Sequence, residues 1–548
     1  MRMERAKDAI AFPSFTVEKA LYGLIASLAL ALRLLWLGRW PMGEREASQA
    51  LAAWQLSQGM TPSSTDYSPL LLSLDSIFFS LFGANDFVAR LPLALMGTIL
   101  ALLPYLLRYR LGRRGALVAS AILAFSPATL YFSRRLGSEI AVATFALASV
   151  CCLFGYLDEG RPTYLHVGVA SLALAMSAGP EAYSFPLVLI ACSLLIKHQM
   201  DQRRVRWPNL AATFAACFAL SSTCLLLNPS GLGSAAELLH TWLEGFKLHL
   251  GPWHHRLQLL LVYEPLALVF GLVGVAYRSS QRDALGNFLA CWVGGALLLL
   301  GRGDGELLLA LVPLALLAGS AIERLFGAAG GKEGLCLAVA ILPLAFASLE
   351  LAGYSLTGRL NYLASMAIAV GLTAASIVPL RIWFGLGPAL RGMGLALLLI
   401  LSTTTFGTSL NLNYHRACDP HELIAAHPTS PSIFDLLETL ERASRHQGGD
   451  PHLLAITVHK GVGPVLAWYL RDFPRARFVD QLPSEVSTPA VIAPEDIPVS
   501  GDYVGQDFLL RSSWNPGNLT WPERARWLLY RQAKTPVQTE RVVLWMRR

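Results

Sequence analysis

Long apolar runs, most of them close to twenty residues, recur along the first three quarters of the chain. A helix rises about 1.5 Å per residue, so about 20 apolar residues are needed to cross a hydrocarbon core of about 30 Å. The pattern therefore predicts a polytopic α-helical membrane protein with about 13 transmembrane helices. The expected spans are 20–37, 87–107, 115–132, 139–157, 163–179, 184–197, 209–227, 259–277, 285–301, 305–323, 334–352, 361–380 and 392–410.

The pattern changes after residue 410, where apolar runs become short and alternate with amphipathic stretches. Alternating strand and helix signals are typical of a small α/β layer. We therefore expect a multi-span domain over 1–410 and an α/β domain over 411–548, which is long enough to bury its own core. Strands are expected at 453–458 and 490–493, and helices at 432–447 and 521–532.

The composition agrees with a membrane protein and excludes a soluble one. Hydrophobic residues make up 54% of the chain and charged residues 15%, whereas soluble domains carry about 25% charged residues. The N-terminus and every second loop after it carry about twice as many Lys and Arg residues as the loops between them. This distribution predicts a cytoplasmic N-terminus. An odd number of spans then places the C-terminal domain outside the cytoplasm. The net charge of +7 is explained by cytoplasmic anchors, and no nucleic-acid partner is predicted.

Two loops on the predicted outer side are too long to be simple turns, namely the first outer loop at 38–86 and the second at 228–258. The first begins with an amphipathic stretch that contains acids, and the second is rich in Trp, His and Gly. Charged residues at membrane depth are costly and often mark function. The charged and His residues of this side that we single out are Glu44, Glu46, Arg134, Arg135, Glu139, His255 and Arg256.

Carboxylates beside cations at a membrane crevice suit one kind of chemistry. A carboxylate can act as a general base or hold a divalent cation, while cations bind the phosphate of a lipid-linked donor. Each residue also has a simpler interpretation. Glu44 and Glu46 are compatible with a solvated helix face, Arg134 and Arg135 with interfacial anchors, and His255 with an aromatic interface belt.

Five segments resemble the GT-C membrane glycosyltransferases, and they resemble most closely a prokaryotic branch of the dolichyl-phosphate-mannose mannosyltransferase-like proteins. The segments touch the first loop, the turn after the third span, the second loop and the tail. They read "EREASQALAAWQLSQG", "SPLLLSLDSIFFSLFGANDFVARLPLALMG", "SPATLYFSRRLGSEI", "PWHHRLQLLLVYEPLAL" and "GPVLAWYLRDFP".

The resemblance implies transfer of a sugar from a polyprenyl-phosphate donor to a glycan, lipid or protein acceptor at the outer face of the membrane. Glu46, or else Glu44, would deprotonate the acceptor hydroxyl. Glu139 would bind a divalent cation or position the acceptor, and metal dependence stays open. The residues expected to bind the lipid phosphate are Arg135, Arg134, Arg256 and His255.

One position departs from the pattern of these proteins. The first loop of that branch usually carries an Asp-Glu pair, and here Arg45 stands where the Asp would fall, with Glu46 on the Glu. An arginine stays protonated and cannot accept a proton. Two alternatives to an active transferase therefore remain. One is an inactive relative that scaffolds a surface-glycan complex, and the other is a lipid flippase or transporter, which the scarcity of ionisable residues within the spans argues against.

Overall fold

Helices built from the apolar runs make up most of the protein, which is described here by a computed structural model. It describes residues 16–62, 67–201, 205–246, 253–281, 283–300, 305–327, 331–425, 427–483, 487–517 and 519–548.

Twenty α-helices precede residue 411 within these described ranges. They are α1 (Val17–Leu34), α2 (Glu44–Ser57), α3 (Pro69–Phe82), α4 (Asp86–Leu102), α5 (Arg108–Leu111), α6 (Arg113–Phe125), α7 (Pro127–Ser133), α8 (Glu139–Glu159), α9 (Pro162–Ala178), α10 (Ser184–Asp201), α11 (Trp207–Ser222), α12 (Gly231–Glu244), α13 (Trp253–Tyr263), α14 (Pro265–Ser280), α15 (Ala284–Leu299), α16 (Glu306–Phe326), α17 (Gly331–Thr357), α18 (Leu360–Ala375), α19 (Ile377–Phe384) and α20 (Leu386–Leu410).

Six helical stretches of the described chain are long and apolar enough to cross a membrane, and two bent helix pairs raise this number to eight. The predicted multi-span helical architecture is confirmed at this level, while the count of about 13 spans stays a prediction. The six stretches are Asp86–Leu111, Glu139–Glu159, Glu306–Phe326, Gly331–Thr357, Leu360–Phe384 and Leu386–His415.

Two spans that the sequence predicts as continuous are each divided into two helices. The chain bends by 57° between α6 and α7, and by 98° between His255–Tyr263 and α14. Proline begins the second helix of each pair, where its missing N–H and its ring interrupt the preceding helix. Glu264 joins the two bends, because its buried carboxylate accepts hydrogen bonds from the Ser126 hydroxyl at 2.6 Å and the Ala128 N–H at 2.8 Å.

The helix α16 lies at the centre of the helical part, with every residue from Glu306 to Ile322 buried. Glycines allow its neighbours to approach its backbone closely. A Cβ at Gly274 of α14 would lie 2.3 Å from the Leu317 carbonyl oxygen, and one at Gly319 would lie 2.3 Å from the Gly115 carbonyl oxygen. Small residues of this kind allow close helix packing in membranes, where apolar burial gives little driving force.

The C-terminal part contains a five-stranded sheet, as the alternating signals predict. Strand order is β2-β1-β3-β5-β4, with β1 parallel to β2 and β3, and β5 antiparallel to β3 and β4. The helices and strands expected at 432–447, 453–458, 490–493 and 521–532 are confirmed, and three further strands are present. The elements are α21 (Ser432–Gly448), β1 (Ile456–His459), α22 (Pro464–Tyr469), β2 (Ala476–Val479), β3 (Ala490–Pro494), β4 (Tyr503–Ser513), α23 (Trp521–Tyr530) and β5 (Gln538–Arg547).

The C-terminal part packs on the loop that follows α1. Asp86, at the start of α4, accepts hydrogen bonds from the Trp468 indole at 2.8 Å and the Tyr469 hydroxyl at 2.7 Å. Tyr469 also accepts a hydrogen bond from the Met42 N–H, and the Thr429 hydroxyl donates to the Met42 carbonyl at 2.8 Å. The start of α2 is therefore held between the helical part and the sheet.

Asp75 of α3 is fully buried, and neither of its carboxylate oxygens has a hydrogen-bond partner among the described residues. Burial of an unpaired ionisable group is unfavourable. We therefore expect Asp75→Asn, which replaces the ionisable group at nearly constant volume, to raise the free energy of unfolding by about 1–3 kcal/mol. Thermal unfolding in detergent measures this. Asp86→Asn is the control and should lower stability, because Asp86 has two good donors; a loss of stability in Asp75→Asn would contradict the prediction.

Candidate functional site

The carboxylate of Glu46 is the centre of a buried polar cluster at the start of α2. Glu46 is the third residue of this helix, and its side chain turns back to accept a hydrogen bond from the Gly43 N–H at 2.8 Å. It also accepts one from the Leu136 N–H at 2.7 Å. The residue is 6% exposed. The helix start and the turn after α7 are therefore joined by one side chain.

Two arginines complete the hydrogen bonding of this carboxylate. Arg90 of α4 donates from Nε and Nη2, both at 3.0 Å, in the bidentate geometry that makes strong pairs. Arg135 donates from Nη1 to Glu46 at 3.0 Å and from Nη2 to the Ala417 carbonyl at 2.8 Å. Glu46 thus accepts five hydrogen bonds in all, which leaves little capacity for another donor.

The ionised form of Glu46 is strongly favoured. Burial alone would raise the pKa of this carboxyl group. The charges of Arg90 and Arg135, together with hydrogen bonds from Arg90 and Gly43, outweigh burial and lower the pKa to about 2. A carboxylate of this kind is a weak base near neutral pH, because the best proton acceptors have a pKa close to the working pH.

Positive charge exceeds negative charge around Glu46. Arg134 donates to four carbonyl oxygens at the end of α1, those of Leu32, Arg33, Leu35 and Trp36. These carbonyls carry the negative end of the helix dipole, so a cation is stabilised there. Arg33 itself donates to three carbonyls and, among the described residues, to no carboxylate. We call Arg33, Arg90, Arg134 and Arg135 the basic cluster; Glu46 is the one described carboxylate to which its members donate.

A small pocket of about 10 Å³ lies beside the basic cluster, and Arg90, Arg134, Arg135, Tyr131 and Asn413 are among its lining residues. Such a volume holds about one water molecule. Arg135 is the most accessible arginine of this pocket, with 15% of its side chain exposed, compared with 1% for Arg90. A larger anion would therefore meet Arg135 first.

Glu44 faces the opposite way from Glu46. About half of its side chain is exposed, and its carboxylate accepts a hydrogen bond from Arg511 of β4. Arg511 also pairs with Glu540 of β5 at 2.7 Å. Glu44, unlike Glu46, is therefore an acid that solvent and a substrate can reach. Arg45, which replaces the expected Asp, is exposed as well.

A cavity of about 1330 Å³ lies between α13, α17, α18 and the C-terminal part. Its polar lining includes His255, Glu422 and Gln538, and three tryptophans line it on the side of β4 and α23. It exceeds the roughly 300–1,000 Å³ of ordinary ligand pockets. The cavity is thus large enough for an extended substrate.

Two chain segments connect this cavity to the start of α2. Ser513 and His427 line the cavity, and two residues away along the chain lie Arg511 and Thr429, which form a β-bridge with each other. Arg511 contacts Glu44. Two residues of extended chain span about 7 Å. Glu44 is therefore linked to the lining of the large cavity through Arg511 and β4.

The structure brings together some of the residues selected from the sequence and separates others. Glu46 and Arg135 are in direct contact, and Arg134 is adjacent. Glu139 begins α8 four residues after Arg135 and is partly exposed. His255 and Arg256 lie apart on α13, where His255 lines the large cavity and Arg256 donates to the Leu300 carbonyl at 3.2 Å.

Arg90 and Arg511 are site residues that the sequence reasoning did not select. Arg90 carries a signal that could have identified it, since it is a lone charge within the apolar run 87–107. Arg511 has no such signal in the sequence, because it stands among other polar residues in β4. Within the described ranges, no three His, Cys, Asp or Glu side chains come together as a metal site requires, and the proposed metal role of Glu139 stays a prediction.

Comparisons with known proteins agree with the resemblance stated from the sequence. Residues 66–226 match the family described as dolichyl-phosphate-mannose-protein mannosyltransferase. The whole chain is similar to ArnT from Cupriavidus metallidurans bound to undecaprenyl phosphate, with 14% identity and a TM-score of 0.60 over 96% of this chain and 98% of ArnT. Among curated protein sequences, none matches.

Two further structures have the same fold. ArnT from Cupriavidus metallidurans in the apo state gives a TM-score of 0.55 at 16% identity, over 85% of this chain and 87% of ArnT. The Archaeoglobus fulgidus oligosaccharyltransferase tethered with an acceptor peptide containing the NVT sequon gives 0.51 at 13% identity, over 84% of this chain and 63% of that chain. The chain therefore has the fold of the GT-C membrane glycosyltransferases, and the predicted resemblance is confirmed.

Proposed function

We propose that this protein transfers a sugar from a polyprenyl-phosphate-linked donor to an acceptor hydroxyl at the extracytoplasmic face of a membrane. The observation that carries the proposal is the contact between the basic cluster and the carboxylate of Glu46 at the start of α2. The GT-C fold, which it shares with an ArnT structure bound to undecaprenyl phosphate, supports it. The distribution of Lys and Arg supports the orientation, with the N-terminus in the cytoplasm.

Arg135 is the residue to which we assign the donor phosphate. It is the more accessible member of the pair that holds Glu46, and it lines the small pocket with Tyr131. Arg134 keeps this turn against α1 through its carbonyl bonds, so its role would be to position Arg135. A phosphate is larger than the pocket, and its entry would require the segment around Ala417 to give way.

Glu44 is the residue to which we assign the acceptor proton. Glu46 already accepts five hydrogen bonds and has a pKa of about 2, so it serves better as the anchor of Arg135 than as a base. Because Glu44 points away from Glu46 and pairs with Arg511, it would have to leave Arg511 and turn towards Arg135 when the substrates bind. In the transfer step the acceptor oxygen would then bond to the anomeric carbon as Glu44 takes its proton. The bond between that carbon and the phosphate oxygen would break, and the polyprenyl phosphate would leave with its charge stabilised by Arg135.

The other residues selected from the sequence would act around Arg135 and Glu44. Glu139, which begins α8 close to Arg135, would position the acceptor or bind a divalent cation. His255 would contact substrate in the large cavity. Arg256 stands beside it and would help to attract the phosphate.

Purified protein in proteoliposomes, supplied with labelled polyprenyl-phosphate sugars and extracts containing acceptors, should consume donor. Arg135→Ala should raise the KM for the donor about 10- to 100-fold, because it removes a charge-assisted hydrogen bond. Arg135→Lys should recover part of this loss. The matched control is Arg110→Ala, since Arg110 pairs with Asp158 in another part of the molecule. Absence of donor consumption by the wild-type protein across these donors would favour the scaffold alternative.

A further inference from the structure

Three tryptophans line one side of the large cavity and form what we call the Trp wall, consisting of Trp514, Trp521 and Trp527. Trp514 follows β4, and the other two stand on α23. The rings of Trp514 and Trp527 lie 6.0 Å apart at 30°, and the His421 ring lies 5.1 Å from Trp514. Trp521 and part of Trp514 therefore present aromatic surface to the cavity, while Trp527, which is 3% exposed, packs against Trp514.

Two of the three indoles are fixed in place. The Trp514 N–H donates to the Thr535 hydroxyl at 2.7 Å, and the Trp527 N–H donates to the His421 carbonyl at 2.9 Å. Arg531 lies over the Trp527 ring at 5.0 Å. Buried indoles usually find such partners. Trp521 differs, because 75% of it is exposed, so most of its ring is accessible to a ligand.

The polar groups of the cavity are mostly uncharged. Gln258, Asn515 and Gln538 line it with amide groups that can both donate and accept hydrogen bonds. Arg524 is occupied with the Trp521 ring and the Leu519 carbonyl, and Glu422 is paired with Arg531. On the side of β4 and α23 the lining therefore offers aromatic faces and amides rather than an excess of either charge. The helices α13, α17 and α18 contribute mainly aliphatic side chains, such as Leu261, Leu351 and Leu360.

This combination suits a neutral sugar chain. A pyranose has one face of C–H groups that can lie on an aromatic ring, and hydroxyl groups around its edge that need donors and acceptors. A phosphate would need a surplus of cations, and an acidic peptide would as well. The volume of about 1330 Å³ is also more than an ordinary small-molecule pocket, so it has room for more than one sugar unit.

We propose that the large cavity binds a neutral oligosaccharide against the Trp wall, and that this saccharide is the acceptor. Its identity as acceptor rests on the proposed function, whereas its binding does not. Glu44 is linked to the cavity lining through Arg511, which stands two residues before Ser513 on β4. A sugar chain lying along the wall would bring a terminal hydroxyl towards the carboxylate to which the acceptor proton is assigned.

Binding is measured directly, without donor, on the full-length protein in nanodiscs. Labelled neutral oligosaccharides should bind to the wild-type protein, and Trp521→Ala should weaken their affinity about tenfold. Trp521→Phe should recover most of it, since it keeps a flat ring. The control is Trp383→Ala, because Trp383 is 73% exposed but does not line the cavity. Folding of the Ala variant is checked by its melting temperature.

Three outcomes would overturn the inference. The first is that no neutral oligosaccharide binds. The second is that Trp521→Ala and Trp383→Ala bind equally well, which would make Trp521 an interfacial anchor only. The third is that undecaprenyl phosphate displaces the saccharide and loses affinity in Trp521→Ala, which would assign the cavity to the carrier lipid. A protein that binds saccharide through Trp521 but consumes no donor would separate the two proposals. That result would support saccharide binding in the cavity and contradict the proposed transfer function.

Discussion

Replacement of Glu46 by Gln is expected to destabilise the folded protein by about 3–5 kcal/mol, because removal of one partner from a buried ion pair leaves uncompensated charge. Arg90 has 1% of its side chain exposed and Arg135 has 15%, so neither can be rehydrated without local opening. The amide of Gln would also direct an N–H towards donors. Thermal or chemical unfolding in detergent measures the loss.

Acid provides a second measure of the same interaction. The pKa of Glu46 is lowered from 4.5 to about 2 in the folded protein. A lowered pKa contributes stability that is complete above the unfolded pKa and is lost as the pH falls through the folded one. The difference in unfolding free energy between wild type and Glu46→Gln should therefore be constant above about pH 5 and shrink between pH 4.5 and 2. A difference that does not depend on pH over this range would contradict the assigned ion pair.

Replacement of Glu44 by Gln is expected to lower the rate of sugar transfer by about 10²- to 10⁴-fold, the usual contribution of a general base. Folding should change little, because about half of the side chain is exposed and exposed ion pairs contribute about 0–1 kcal/mol. Steady-state kinetics with a labelled donor, together with the melting temperature, measure both effects. Glu44→Asp should keep more activity than Glu44→Gln.

Glu540 offers a closely matched control for this substitution. Its carboxylate pairs with the same Arg511, and 52% of its side chain is exposed compared with 51% for Glu44. Glu540→Gln therefore removes one negative charge from the same ion-pair network without removing the assigned base. Equal loss of transfer in Glu540→Gln and Glu44→Gln would show that Arg511 needs both carboxylates, and it would end the assignment of Glu44.

Much of the local structure of this protein could be predicted from the sequence. Apolar runs predicted helices, and short alternating runs predicted β1, β3, α21 and α23, because these features depend on neighbouring residues. The strands β4 and β5 are partly exposed and carry polar and charged residues, so their strand signal is weak. The sequence also contains a signal for the two helix bends, since Pro127 and Pro265 stand inside the expected spans.

The site was predicted only in part, because its contacts join distant segments. Glu46 and Arg135 were selected and do meet. The different surroundings of Glu44 and Glu46 could not be read from the chain, because Glu44 contacts Arg511, which is 467 residues further along. Two acids that are two residues apart on a helix point in different directions, and their partners decide which one is buried.

The dependence of α2 on Arg511 and Tyr469 also has a consequence for biosynthesis. A ribosome adds about 5–20 residues per second, so roughly 20–90 s separate the appearance of Glu44 from that of Arg511. Throughout that interval the first loop lacks the sheet that later covers it. Truncation before β4 should therefore yield a chain that inserts its early helices but leaves the first loop open to protease, which makes this loop a reporter of completed synthesis.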